Sequence, residues 1–101
     1  MTIVERLIQK VRPGKWEELE ELDKEYTAIE SRYGYPPKTR YTYISGGHDM
    51  GTLVVERQWD SIATAEAATL KLSADPEAKT LGEKTLEIIE STQLEFLGKL
   101  E

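Results

Sequence analysis

Cysteine is absent from the 101 residues, which excludes disulfides, thiolate catalysis and zinc–thiolate sites. Histidine occurs once, as His48, and no H-x-x-x-H or H-x-E spacing exists, so no metal site is expected. Long apolar runs are missing too. A membrane span needs roughly 18 to 20 such residues in succession, and none is near that, so no membrane partner is expected. Met1-Thr2-Ile3-Val4-Glu5-Arg6 sets an acid and a base in a short apolar stretch, unlike a secretory signal, and a cytoplasmic protein is expected. Positive charge is short: 13 Lys and Arg face 19 Asp and Glu, for a net charge of −6. Phosphate attraction needs a positive footprint, so no nucleic-acid partner is expected. Gly46-Gly47 lacks the phosphate-loop sequence and opens no helix. No flavin, nicotinamide or haem motif is visible, and no cofactor is expected.

What is present is 39% hydrophobic and 32% charged residues, enough for one modest core and a single domain over residues 1–101. Thr2 to Val11 is β-branched and ends at the Pro13-Gly14 breaker, which predicts a strand. Its two faces are Ile3, Glu5, Leu7, Gln9, Val11 and Val4, Arg6, Ile8, Lys10. Trp16, Leu19, Leu22, Tyr26, Ile29 and Tyr33 then fall at steps of three or four, one apolar stripe of a helix. Glu17, Glu18, Glu20 and Glu21 cover its solvated side and suit the positive end of the helix dipole. Gly34 and Pro36-Pro37 stop it.

Lys38 to Ser45 alternates as a strand, and so does Thr52 to Trp59. The Gly46–Gly51 loop between them predicts a hairpin. Asp60-Ser61 caps the next helix. Ser73-Ala74-Asp75-Pro76 breaks it and restarts it, with Asp75 as N-cap and Pro76 in the first turn. The broken helix is predicted to reach about Ser91, and Gln93 to Leu100 reads as a last strand.

This order is βαββαβ, the ferredoxin-like α+β arrangement. Right-handed crossovers place the helices on one face of a four-stranded antiparallel sheet. Every strand nevertheless carries apolar residues on both faces. A second copy covering the open face predicts a homodimer, a dimeric α/β barrel with two sheets enclosing an interior.

Three segments carry a family resemblance: Val11-Arg12-Pro13-Gly14-Lys15-Trp16-Glu17-Glu18-Leu19, Glu56-Arg57-Gln58-Trp59-Asp60-Ser61 and Ser73-Ala74-Asp75-Pro76. They resemble the strand-to-helix turn, the end of strand three and the helix break of the dimeric α/β-barrel superfamily. Its members include antibiotic-biosynthesis monooxygenases, haem-degrading monooxygenases, stress-responsive barrel proteins and NIPSNAP-like domains. The resemblance covers nearly the whole chain and implies fold before activity. It departs from the haem-degrading branch. The second helix offers Thr69, Leu70, Lys71 and Thr80 without His or Trp, and Arg6 stands where that branch has a polar amide.

The resemblance implies a small-molecule-binding barrel, with a cofactor-independent monooxygenase or a related isomerase or cyclase on an aromatic or polyketide-like substrate as its catalytic form. His48, beside Asp49, is a candidate general base, and Tyr43 a second proton-transfer candidate. Arg6, Tyr41, Arg57 and Trp59 are candidate ligand-binding residues, able to stack on a small aromatic ligand or donate to its oxygens. Strand parity leaves open which face lines the interior. Two other functions stay open: a non-catalytic ligand-binding or sensing module, and a structural assembly domain whose interior is filled by side chains.

Overall fold

The computed structural model describes residues 1–100. The elements are β1 (Ile3–Val11), α1 (Trp16–Arg32), β2 (Lys38–Thr42), β3 (Thr52–Trp59), α2 (Ile62–Ser73), α3 (Pro76–Ile88) and β4 (Ile89–Gly98). The four strands form one sheet in the order β2-β3-β1-β4, and each neighbouring pair is antiparallel. This is the ferredoxin-like α+β fold expected from the order of elements.

The helices begin and end where local chemistry requires. The chain enters α1 through Gly14, whose φ of 76° lies in the left-handed region that glycine adopts without a Cβ penalty. The Ser61 hydroxyl accepts from the Thr64 amide at 3.1 Å and starts α2. The Asp75 carboxylate accepts from the Glu77 amide at 2.8 Å and starts α3, with Pro76 where no helical N–H partner is needed. Asp75 also accepts from the Tyr33 hydroxyl at the end of α1, so the helix break is tied to a second helix.

Two element boundaries differ from the sequence reading. β2 ends at Thr42 rather than Ser45. The Tyr43 amide still donates to the Thr52 carbonyl at 3.2 Å, but Ile44 and Ser45 already belong to the glycine loop. β4 starts at Ile89 rather than Gln93, directly from α3 without a loop. Ile88 and Ile89 are both core residues, the Arg12 amide donates to the Ile88 carbonyl at 2.9 Å, and the register shifts between Lys10 and Val11 to admit the junction.

Alternation divides the sheet. Leu7, Val11, Leu53 and Val55 face the helices and pack with Leu19, Leu22, Ile29, Leu81 and Ile88 in the main core. A second cluster joins Ile3 and Trp59 to Ala65 and Ala68 of α2. The small side chains of α2 let that helix lie close to the sheet. The opposite face carries Val4, Arg6, Ile8 and Lys10 from β1 with Val54, Glu56 and Gln58 from β3 in register, and no helix covers it.

Candidate functional site

A cavity of about 730 Å³ lies between the helix layer and the sheet, not on the open face. Its walls are mostly apolar: Leu7 and Val55 of the sheet, Leu19 and Leu22 of α1, Leu94 and Phe96 of β4. The stripe of α1 and the inward parity of β1 and β3 produce those walls. β4 is an edge strand that the helices do not fully cover, so Leu94 is 53% exposed and Phe96 45%. With Ile62, Glu66 and Leu70 of α2 they form the mouth.

The deep end is charged. Glu5 and Arg57 stand directly opposite each other on β1 and β3, and Arg57 Nη1 donates to Glu5 Oε2 at 3.2 Å. Their side chains are only 8% and 4% exposed. Arg57 Nη2 lies 3.1 Å from Glu30 Oε1, an oxygen that Lys38 Nζ also reaches at 3.1 Å. Lys38 pairs further with Asp23 at 2.9 Å. Burying four ions costs hydration, and each ion needs its partner for the cost to be met.

Tyr35 closes this end. The Arg57 guanidinium sits 4.9 Å from the centre of its ring, a cation–π contact. Its hydroxyl donates to Thr69 Oγ1 at 3.4 Å, and Thr69 donates on to the Ala65 carbonyl at 2.8 Å. Burial pushes the Tyr35 phenol above its ordinary pKa, and the nearby Glu5 and Glu30 carboxylates push the same way against Thr69 and Arg57. The phenol therefore stays a proton donor at neutral pH. The arrangement is an apolar chamber with one polar end, able to orient a small molecule by a few directed contacts.

Of the residues singled out from the sequence, Arg57 alone lines this cavity. Trp59 is 3% exposed and packs as core against Ile3, Ala65 and Ala68, with Tyr35 edge-on at 5.1 Å. Arg6 faces the opposite side, where its Nε donates to Glu56 at 2.7 Å and its Nη1 lies 3.9 Å from Glu95. Tyr41 pairs in register with Val54 on that same face and is half exposed. Tyr43 and His48 meet each other, ring centres 5.1 Å apart, beyond the end of β2. His48 and Asp49 line a separate polar recess of about 320 Å³ with Lys10, Gln93 and Thr52. Tyr41 and Arg6 are thus separated from Arg57 by the sheet itself, because their strand positions have the other parity, and Tyr43 and His48 lie in the loop segment beyond β2.

Sequence reasoning missed Glu5, Glu30, Tyr35 and Lys38. A charge between Ile3 and Leu7 at inward parity was the available signal for Glu5. Its pairing with Arg57 depends on the β1–β3 register, which no local pattern displays. Glu30 follows Ile29 at the edge of the apolar stripe of α1, and Tyr35 sits in the Gly34–Pro36 connection. Neither is marked by periodicity.

No protein-family model and no curated protein matches the chain. Solved structures do share its fold. It is similar to a NIPSNAP family protein from Agrobacterium tumefaciens with a TM-score of 0.85 and 21% identity, over 100% of this chain and 95% of that one. An uncharacterized NIPSNAP domain protein from Burkholderia xenovorans gives 0.83 and 21%, over 97% and 94%. SnoaB, a cofactor-independent oxygenase from Streptomyces nogalater, gives 0.75 and 13%, over 99% and 94%. The chain therefore shares the ferredoxin-like fold of these structures, as its sequence motifs implied. At these identities the likeness is one of fold. Among the described residues, no helix is long and apolar enough to cross a membrane.

Proposed function

We propose that the protein binds a small, largely apolar molecule in the cavity between its helices and its sheet. The observation that carries this reading is the cavity itself: about 730 Å³, apolar along its walls, with Arg57, Glu30, Lys38 and Tyr35 converging at one end. A chamber of that size falls within the range of small-molecule sites, roughly 300–1,000 Å³. It also speaks against an assembly domain whose interior is filled by side chains.

Occupancy is tested with a fused-ring phenol, 2-naphthol, by calorimetry and thermal unfolding. The expected result is saturable one-to-one uptake and a raised melting temperature. Leu94→Trp places a large ring at the mouth on an exposed edge position. It is expected to weaken uptake at least about tenfold while leaving the unliganded melting temperature within a few degrees. Equal uptake by both proteins, or none by either, would overturn the reading.

The catalytic form of this proposal is oxidation of the bound ring by dioxygen without a cofactor. The fold shared with SnoaB and the apolar walls support it. Dioxygen consumption with an anthrone, lost in Leu94→Trp, is the expected outcome. Uptake of the anthrone with no dioxygen consumed would leave a binding or sensing module.

The proposal extends to a homodimer built by the open sheet faces. Tyr41 and Leu97, 50% and 40% exposed, place apolar surface there beside Val4, around Ile8 and Val54, which the single chain already buries. Light scattering is expected to give twice the 11.5 kDa chain mass. A monomer at micromolar concentration would contradict it.

A further inference from the structure

Glu5 holds an unusual position among the cavity residues. Its carboxylate is 8% exposed and sits on a central strand, yet only one of its oxygens is used by the protein. Oε2 accepts from Arg57 Nη1, whereas among the described residues no donor is bound to Oε1. Oε1 is also not one of the sealed polar atoms without a partner, which are Arg40 Nε, Arg57 Nε and Trp59 Nε1. Glu5 lines the cavity, so we infer that an oxygen neither paired nor sealed is open to it. A carboxylate oxygen can only accept, so the group that completes it must be an O–H or N–H donor.

Charge narrows the class. The carboxylates of Glu5, Glu30 and Asp23 and the cations of Arg57, Lys38 and Arg40 balance one another at the deep end through contacts of 2.9–3.6 Å. An anionic or cationic ligand would bring an uncompensated charge into this buried place. An uncharged donor would not. The walls that remain, Leu7, Phe96 and the ring of Tyr35, suit an apolar ring system.

We propose that Glu5 is a ligand-binding residue that accepts a hydrogen bond through Oε1 from the hydroxyl of an uncharged, ring-containing ligand of the phenol class; this rests on the cavity reading above. Arg57 is then a positioning residue, holding the other oxygen and turning Oε1 toward the chamber.

Four probes of one size test it by calorimetry on the intact protein: 2-naphthol, 2-methylnaphthalene, naphthalene-2-carboxylate and 2-naphthylmethylammonium. A hydrogen bond to a charged acceptor predicts that 2-naphthol binds about tenfold or more tightly than each of the other three. Glu5→Gln keeps the shape but gives the deep end one net positive charge. The preference for 2-naphthol over 2-methylnaphthalene is expected to shrink about tenfold, and naphthalene-2-carboxylate to bind more tightly than to the wild type. Equal binding of 2-naphthol and 2-methylnaphthalene by the wild type, or a preference for either ion, overturns the role of Glu5 and leaves the cavity reading standing. Binding of none of the four overturns the cavity reading as well. The wild-type series decides the matter even if Glu5→Gln does not fold.

Discussion

The two faces of the sheet are built from alternate residues of the same strands, and they solve the problem of charge in opposite ways. On the helix side Glu5 and Arg57 form a cross-strand pair at 3.2 Å with side chains 8% and 4% exposed. At the next rung of the same ladder, Arg6 and Glu56 form a cross-strand pair at 2.7 Å with side chains 35% and 27% exposed. The shorter contact is the less consequential one. Water screens the open-face pair, whereas the helix-side pair has given up its hydration and depends on partners. Distance alone does not rank ion pairs; burial does.

The largest effect should come from breaking the buried array. Arg57→Met leaves Glu5 and Glu30 without their guanidinium and is expected to cost about 3–5 kcal/mol in urea unfolding. Arg6→Met on the other face is expected to cost less than about 1 kcal/mol in the same experiment. Equal costs would erase the contrast. Apolar truncations should follow the same division. Leu53→Ala removes a helix-side residue 5% exposed and is expected to cost about 2–5 kcal/mol. Leu97→Ala, 40% exposed on the open face, should cost about 1 kcal/mol when the chain is monomeric. Tyr41→Arg places a charge on the open face at a half-exposed position, and light scattering should then report the 11.5 kDa chain alone with its helix content intact.

The smallest effect is one of pH and belongs to the helix layer. The Tyr33 hydroxyl, the Glu77 and Ala78 amides and Arg32 hold the Asp75 carboxyl below its ordinary pKa of 3.8. A carboxyl whose pKa is lowered by folding contributes stability above its unfolded value and loses that contribution as pH falls through the folded one. Stability is therefore expected to decline as acid is added below about pH 3.8. Asp75→Asn should be less stable than the wild type at neutral pH and should converge on it in acid. Parallel unfolding curves for the two proteins down to pH 2 would contradict this assignment.

Much of the frame was legible in the sequence because its signals are local. The stripe from Trp16 to Tyr33, the Asp75-Pro76 start and the alternation of Thr52–Trp59 each declare an element within a few residues. Ile89 to Thr92 were misread because an apolar pair at a helix end serves equally well as the start of a strand. The candidate site was less legible. The sequence reading grouped Arg6 and Tyr41 with Arg57 and Trp59, and the sheet divides that group by parity. Arg57 belongs to the chamber, but its partners come from β1, α1 and the start of β2, brought together only by the non-local register. His48 drew notice as the one histidine, and the fold leaves it in a loop beside Tyr43, away from the chamber.

The claim that this side of the sheet is the binding side can be tested directly by carbon-13 methyl spectra of the protein titrated with 2-naphthol. The account predicts saturable shifts at Leu7, Leu53, Val55 and Leu94, whose methyls face the helices, and none at Val4, Ile8, Val54 and Leu97, which alternate with them on the open face. Shifts concentrated in the second group, or none in the first, would contradict it.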